Sequence, residues 1–329
     1  MNHYKAFRIH RENGQHSAAI EELELQEPEA DEVLIKVRFS SVNYKDALAG
    51  AGTGQILRHF PLTGGIDASG EIVKTNDRRF KEGDEVIVTG YELSATLDGG
   101  YAEYLRVPAD WVVPLPEGLG LYEAMAIGTA GFSASLALHR MEANGQHPEL
   151  GSILVTGATG GVGSLAVNIF DGEGYDVTAI SGKQEQQGYL EHLGAKEVLD
   201  RNSVKAGHHA LEKARWGGAV DTVGGDMLAS ITRTVKPWGS IASIGLAGGH
   251  QLSTTVMPFI LRGVSLLGIN SSGCPYEIRQ ELWQRLATDL HPRHLDEIAS
   301  QTISLEQLPE TFEQMLNGMT TGRIVVQIQ

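Results

Sequence analysis

The sequence predicts an α/β protein with a β-rich N-terminal part followed by a doubly wound parallel sheet. Three observations predict it. Alternating strand patterns fill the first ~125 residues. Short apolar runs then alternate with helix-length segments from about Ile127. A glycine cluster sits between the first of those runs and a helical pattern.

In the N-terminal part, Val33, Ile35, Val37 and Phe39 alternate with Leu34, Lys36, Arg38 and Ser40, which, Leu34 apart, is the pattern of a half-buried strand over Glu32–Asn43. Glu85–Thr89 and Tyr101–Val107 are similar, with Gly and Pro forming turns between them. Next come Ser152–Thr156, Asp176–Ile180, Glu197–Leu199, Ala219–Val223, Ser240–Ile244 and Val264–Ile269, six strand-length runs separated by helices, hence βαβ units and a parallel sheet. Helical patterns follow Pro275, and a last strand, Arg323–Ile328, is expected to return to the first domain. The expected division is 1–126 with 300–329 against 127–299.

Composition narrows the function. The 41% hydrophobic content and 40 glycines suit a globular protein of 329 residues. No stretch approaches the ~18 uninterrupted apolar residues of a membrane span, and the polar start of the chain does not resemble a signal peptide, so a cytoplasmic protein is expected. The single Cys274 rules out an intramolecular disulfide and a cysteine-built zinc site. A net charge of −15 argues against nucleic-acid binding. The histidines are scattered; the pairs His208/His209 and His291/His294 are expected at the surface, and no metal site is expected.

The clearest chemistry lies in Gly151–Ser164, where an apolar strand enters Gly157-Ala158-Thr159-Gly160-Gly161-Val162-Gly163 and a helical pattern follows. Gly160 allows close approach of a diphosphate, Gly163 allows helix and strand to pack, and the helix N-terminus offers N–H groups to phosphate. The next strand decides the nucleotide. An NAD site places an acid there, about 20 residues on. This chain has Ser181-Gly182-Lys183, a hydroxyl, an open glycine and a cation suited to a 2′-phosphate, which favours NADPH. No Tyr-x-x-x-Lys pair occurs, which excludes a short-chain dehydrogenase. Without a metal to polarise an alkoxide, reduction of a conjugated C=C bond or a quinone is favoured over alcohol–ketone chemistry.

Several segments together resemble the medium-chain dehydrogenase/reductase superfamily and its zinc-free quinone-oxidoreductase branch. They are Asn43-Tyr44-Lys45-Asp46, Phe60–Gly70 with Ile66-Asp67 where zinc members carry a histidine ligand, Lys81–Val86, Gly99–Tyr104 and Gly128–Ala134. A closer resemblance, to the acrylyl-CoA reductase (NADPH) subfamily, is carried by Asn43–Ala47, Thr156–Gly163, Asp221–Gly224, Gly245–Gly249 and Thr254–Arg262. The resemblance implies a GroES-like catalytic domain, a Rossmann domain, and cofactor contacts at Tyr44, Thr159, Gly160, Gly161, Val162, Ser181, Gly182, Lys183, Thr222, Leu266 and Asn317. It further implies hydride delivery to the β-carbon of an enoyl thioester such as acryloyl-CoA, giving propanoyl-CoA, with an enolate forming at the thioester oxygen. Tyr44 is the candidate donor to that oxygen or the acid, the alternative being that it packs on the cofactor while water supplies the proton; Asn43 and Asp46 are expected to orient the loop. Lys45, Arg58, Arg262 and Arg323 are the candidate cations for CoA phosphates, and the apolar last strand of the parallel sheet suggests a homodimer. An NADPH:quinone oxidoreductase and a non-catalytic NADPH-binding redox sensor are the alternative functions.

Overall fold

The structure, a computed structural model, describes residues 3–204, 207 and 209–329. The chain forms two units, Met1–Thr129 with Ser272–Ala287 and Leu295–Gln329, and Ala130–Ser271 with Thr288–His294. The second crossing of the chain departs from the expected boundary at residue 299. Segment 272–287 belongs to the first unit because helix Tyr276–Leu286 is tied there: the Arg279 guanidinium donates to Thr89 O (2.8 Å) and lies over the Tyr91 ring, and the Tyr276 hydroxyl donates to Val112 O (3.1 Å).

Among the described residues, the first unit holds a seven-stranded sheet centred on Glu32–Ser41. That strand pairs antiparallel with Asp67–Thr75, with Tyr104–Pro108 and with the last strand, Ile324–Gln327. The C-terminal strand therefore does return to the first unit. A separate three-stranded sheet is built on the hairpin His3–Glu12/Gln15–Glu24. Two apolar clusters support these sheets, one around Phe7, Tyr101 and Phe312 and one around Ile35, Val86 and Leu105.

The second unit is a six-stranded parallel sheet in the order Ala195–Asp200, Val177–Ser181, Ile153–Val155, Gly218–Asp221, Ser240–Ser243, Ser265–Gly268. All six expected strands are present. The order reverses between Ile153–Val155 and Gly218–Asp221, the position at which such sheets bind nucleotides.

Helix Leu121–Ala143 is long and apolar enough, by composition, to resemble a membrane span. It is broken at Gly128 (φ 49°, ψ −160°), and Ala124–Ile127 and Phe132–Leu138 are buried, as in a core helix. His209 is exposed as expected, while His291 and His294 are half-buried, the His294 ring 4.4 Å from that of His192; His208 lies outside the described residues.

Candidate active site

In the second unit, strand Ile153–Val155 enters the glycine loop and helix Gly161–Gly172 leaves it. Gly157 makes the tight turn: its φ is +57°, and a Cβ there would lie 2.3 Å from Thr222 Oγ1. A Cβ on Gly163 would lie 2.3 Å from Gly157 O, so this glycine sets the close packing of helix on strand. At Gly160 a Cβ would come no nearer than 3.3 Å, to the same carbonyl. The fold itself therefore crowds Gly160 much less than Gly157 or Gly163. The first hydrogen bond of the helix runs from Ser164 N to Gly160 O (2.8 Å), so the N–H groups of Gly161, Val162 and Gly163 open from its N-terminus, a fit for a diphosphate.

Thr222 closes the opposite side of the reversal point. Its Oγ1 donates to Thr156 O (2.8 Å) and its N–H to Thr156 Oγ1 (3.0 Å), while that hydroxyl donates to buried Asp221 (2.7 Å). Burial pushes the Asp221 carboxyl up. Leu266 is exposed on the edge strand, in register with Ile241.

At the end of Val177–Ser181, the Ser181 hydroxyl accepts from Lys183 N (2.9 Å) and lies 3.5 Å from Thr159 Oγ1. Ser181 thus shapes the corner, Gly182 exposes its backbone, and Lys183 is half-buried, its ammonium lowered in pKa by that burial against the pull of Glu185. The structure adds one cation that the sequence reading missed. A Cβ on Gly182 would meet Arg201 Nε at 2.7 Å and Cζ at 2.8 Å, so this guanidinium lies against the corner. Its signal was the register: Ser181 pairs with Asp200, the residue before Arg201. The Asp200 carboxylate is held down by Asn202 N and the Gln184 amide.

In the first unit, Tyr44 opens helix Tyr44–Gly50 with 41% of its surface exposed. Asn43 and Asp46 on the same turn are buried and bonded inward. Asp46 Oδ2 accepts from Asn43 N (2.9 Å) and Oδ1 from Ile66 N (3.0 Å), which ties the turn to the segment that carries Ile66. The Asn43 amide reaches Asp67 Oδ2 (2.8 Å). Lys45 is half-buried, Arg58 is exposed, and Asn317 is exposed just past helix Leu308–Leu316.

Two of the expected phosphate cations have other work. Arg323 is buried and donates to Ala126 O, Val42 O, Asn43 Oδ1 and Ser41 Oγ, so it is a structural charge rather than a phosphate ligand. Arg262 donates to Arg233 O, Val235 O and Glu212 O, capping the carbonyl end of helix Gly225–Thr234. Both form bonds to residues distant in the chain, which a charge count along the sequence does not reveal.

Residues 29–117 match the alcohol dehydrogenase GroES-like domain and residues 161–288 the zinc-binding dehydrogenase family. YhfP of Bacillus subtilis, which carries a quinone oxidoreductase name, is 52% identical over 299 residues, 91% of each chain. The chain belongs to the medium-chain dehydrogenase/reductase superfamily. Within it, the acrylyl-CoA reductase AcuI of Ruegeria pomeroyi is 43% identical over 318 residues, 96% of each chain. Among solved members, the YhdH oxidoreductase of Salmonella enterica in complex with NADP has a TM-score of 0.95 at 43% identity, covering 99% of this chain and 100% of its own. The YhfP structure, with NAD bound, has a TM-score of 0.95 at 48% identity, covering 99% and 100%.

Proposed function

We propose that this medium-chain oxidoreductase uses NADPH to reduce a short 2-enoyl thioester, acryloyl-CoA in the first instance, without a metal. The observation that carries the cofactor choice is the Ser181-Gly182-Lys183 corner, with Arg201 laid against it and no acid in the position that would hold a 2′-hydroxyl. NADPH supplies the hydride. What the chain supplies is a phosphate cradle at Gly160–Val162, a rigidly held turn at Asn43–Asp46, and an exposed phenol on Tyr44. That phenol is the donor available on this turn to a developing enolate oxygen.

The donor set supports metal-free chemistry. Ile66 has no ligand atom, and the Asp67 carboxylate is filled by Ser41, Asn43 and Thr129, with Arg323 Nη2 4.0 Å away, an arrangement that disfavours a second cation. The similarity to AcuI supports the thioester substrate, and the similarity to YhfP supports quinone reduction as the second reading.

Steady-state NADPH oxidation with acryloyl-CoA against a benzoquinone panel separates the two. The thioester is expected to be the better substrate by kcat/KM; turnover of quinones alone supports the second reading. Tight NADPH binding without turnover on either would support a non-catalytic NADPH-binding redox sensor. With the thioester, Tyr44→Phe is expected to lower kcat by about 10²-fold with little change in NADPH affinity. An unchanged kcat assigns the proton to water.

The last strand of the parallel sheet, Ser265–Gly268, and helix Met257–Arg262 with its N-cap Val256 present Leu266, Val256, Ile260 and Leu261 to the surface, and Trp238, whose N–H donates to Arg262 O (2.8 Å), lies beside them. Ile260 is 71% exposed and Trp238 75%. An apolar face at a sheet edge supports a homodimer through this side. Ile260→Asp is expected to convert a dimer to a monomer in sedimentation velocity while leaving the fold intact. A wild-type protein that sediments as a monomer overturns the assembly.

A further inference from the structure

Two imidazoles meet on the surface of the second unit. His192 ends helix Gln187–His192 and is exposed, and His294 is half-buried at the end of segment 288–294. Their ring centroids stand 4.4 Å apart at an interplanar angle of 55°, and one ring nitrogen of each lies within 4.8 Å of the other. The two residues are far apart in the sequence, so no spacing motif announces the pair. The fold alone brings them together.

One buried side chain holds both backbones under the rings. Asn168, in helix Gly161–Gly172, donates from Nδ2 to the carbonyl of Leu193, the residue after His192 (3.0 Å). Its Oδ1 accepts from the backbone N–H of His294 itself (3.3 Å). About one turn further along that helix, Asp171 pairs with the Arg293 guanidinium (2.5 Å) and has Lys196 Nζ at 3.6 Å. These two neighbouring cations are therefore engaged by a carboxylate. Leu190, Leu193 and Pro292 are buried beside the same segments. Asn168 and Asp171 lie in the second half of the helix, on the order of 12 Å or more along its axis from Gly160 and the diphosphate cradle.

Imidazole nitrogen suits a divalent ion of borderline softness such as zinc or copper, whereas magnesium and calcium take oxygen donors. Tetrahedral zinc, with Zn–N about 2.0–2.1 Å, sets two such nitrogens about 3.4 Å apart. The pair stands close to that span, and rotation of the exposed His192 side chain closes the remaining gap. Fixing the two backbones beforehand removes part of the ordering cost of binding. We propose that His192 and His294 form a surface site for a divalent transition-metal ion, zinc in the first instance, with water completing its coordination. The bound ion clips segment 288–294 to the helix that ends in His192. It takes no part in the reduction proposed above, because the pair lies at the opposite end of helix Gly161–Gly172 from the glycine loop.

The full chain, stripped with a chelator and titrated with zinc chloride in a calorimeter, tests this. The wild type is expected to bind one zinc ion in the micromolar range. His192→Ala and His294→Ala are each expected to weaken that binding by about 10²-fold, because a second ligand on a fixed frame acts at high effective concentration. His250→Ala removes an exposed histidine from another loop of the same unit and is expected to change nothing. With copper(II) as the probe, electron paramagnetic resonance is expected to show coupling to two imidazole nitrogens in the wild type and to one in either variant. Zinc is also expected to raise the unfolding midpoint of the wild type and of His250→Ala, but not of the other two variants. Wild-type affinity no tighter than millimolar overturns the site, and so does binding that survives the loss of either His192 or His294. Tight binding that leaves the wild-type midpoint unmoved overturns the clip.

Discussion

Replacing Gly128 with alanine is expected to destabilise the first unit by on the order of 3–5 kcal/mol, measured as a drop in the urea or thermal midpoint. Two costs combine. The backbone sits at φ 49°, ψ −160°, a region essentially reserved for glycine. A Cβ there would also lie 2.7 Å from Arg323 Nη2, 2.8 Å from Asp67 Oδ2 and 2.9 Å from Ser41 Oγ. None of these atoms can retreat without breaking the bridge between a buried cation and a buried carboxylate, and a half-broken pair costs more than no pair at all. Gly188 is the control. It lies in helix Gln187–His192, and a Cβ there meets nothing within 4 Å. Gly188→Ala is expected to be neutral or to stabilise by up to ~1 kcal/mol. Equal behaviour of the two variants would show that Gly128 is not confined by the charge cluster.

The second large effect concerns the nucleotide corner. Lys183→Ala and Arg201→Ala are each expected to weaken NADPH binding by about 10- to 100-fold while NADH binding changes little, as measured by calorimetry. A hydrogen bond to a charged group contributes about 1.5–3 kcal/mol, and only NADPH carries the extra phosphate dianion. The corner is partly open to water, so the effect is expected to shrink as salt rises. Arg201, which can present a planar fork to phosphate, is expected to tolerate lysine less well than its charge alone implies. Equal losses for NADPH and NADH in both variants would refute the assignment of this corner to the 2′-phosphate.

Much of the fold was legible in the sequence because it is written in local periodicity. The six apolar runs from Ser152 to Ile269 became the six parallel strands, and Gly157, Gly160 and Gly163 fall into the turn, approach and packing positions that a strand–loop–helix requires. The Ser181-Gly182-Lys183 corner was legible for the same reason, since it follows directly on a strand end. The ends of the second unit were less so. Nothing local announces that Tyr276–Leu286 belongs with the first unit, because the cause is a set of bonds from Arg279 to residues almost 200 positions away.

The sequence by itself determined the strand pattern, the glycine loop between strand and helix, and the family. Local spacing and residue type are enough for the strands and the loop, each of which depends on neighbours within a single βαβ unit or turn, and the family is carried by many such short segments in order along the chain. Only the tertiary structure decided the roles of the charged residues. Arg323, Arg262 and Lys183 are all cations on paper, yet one is held near buried Asp67 through Ser41 and Asn43, one caps a helix and one borders the Ser181-Gly182 corner. The difference is desolvation: a buried charge is fixed by whichever partners the fold brings to it, and those partners come from distant parts of the chain.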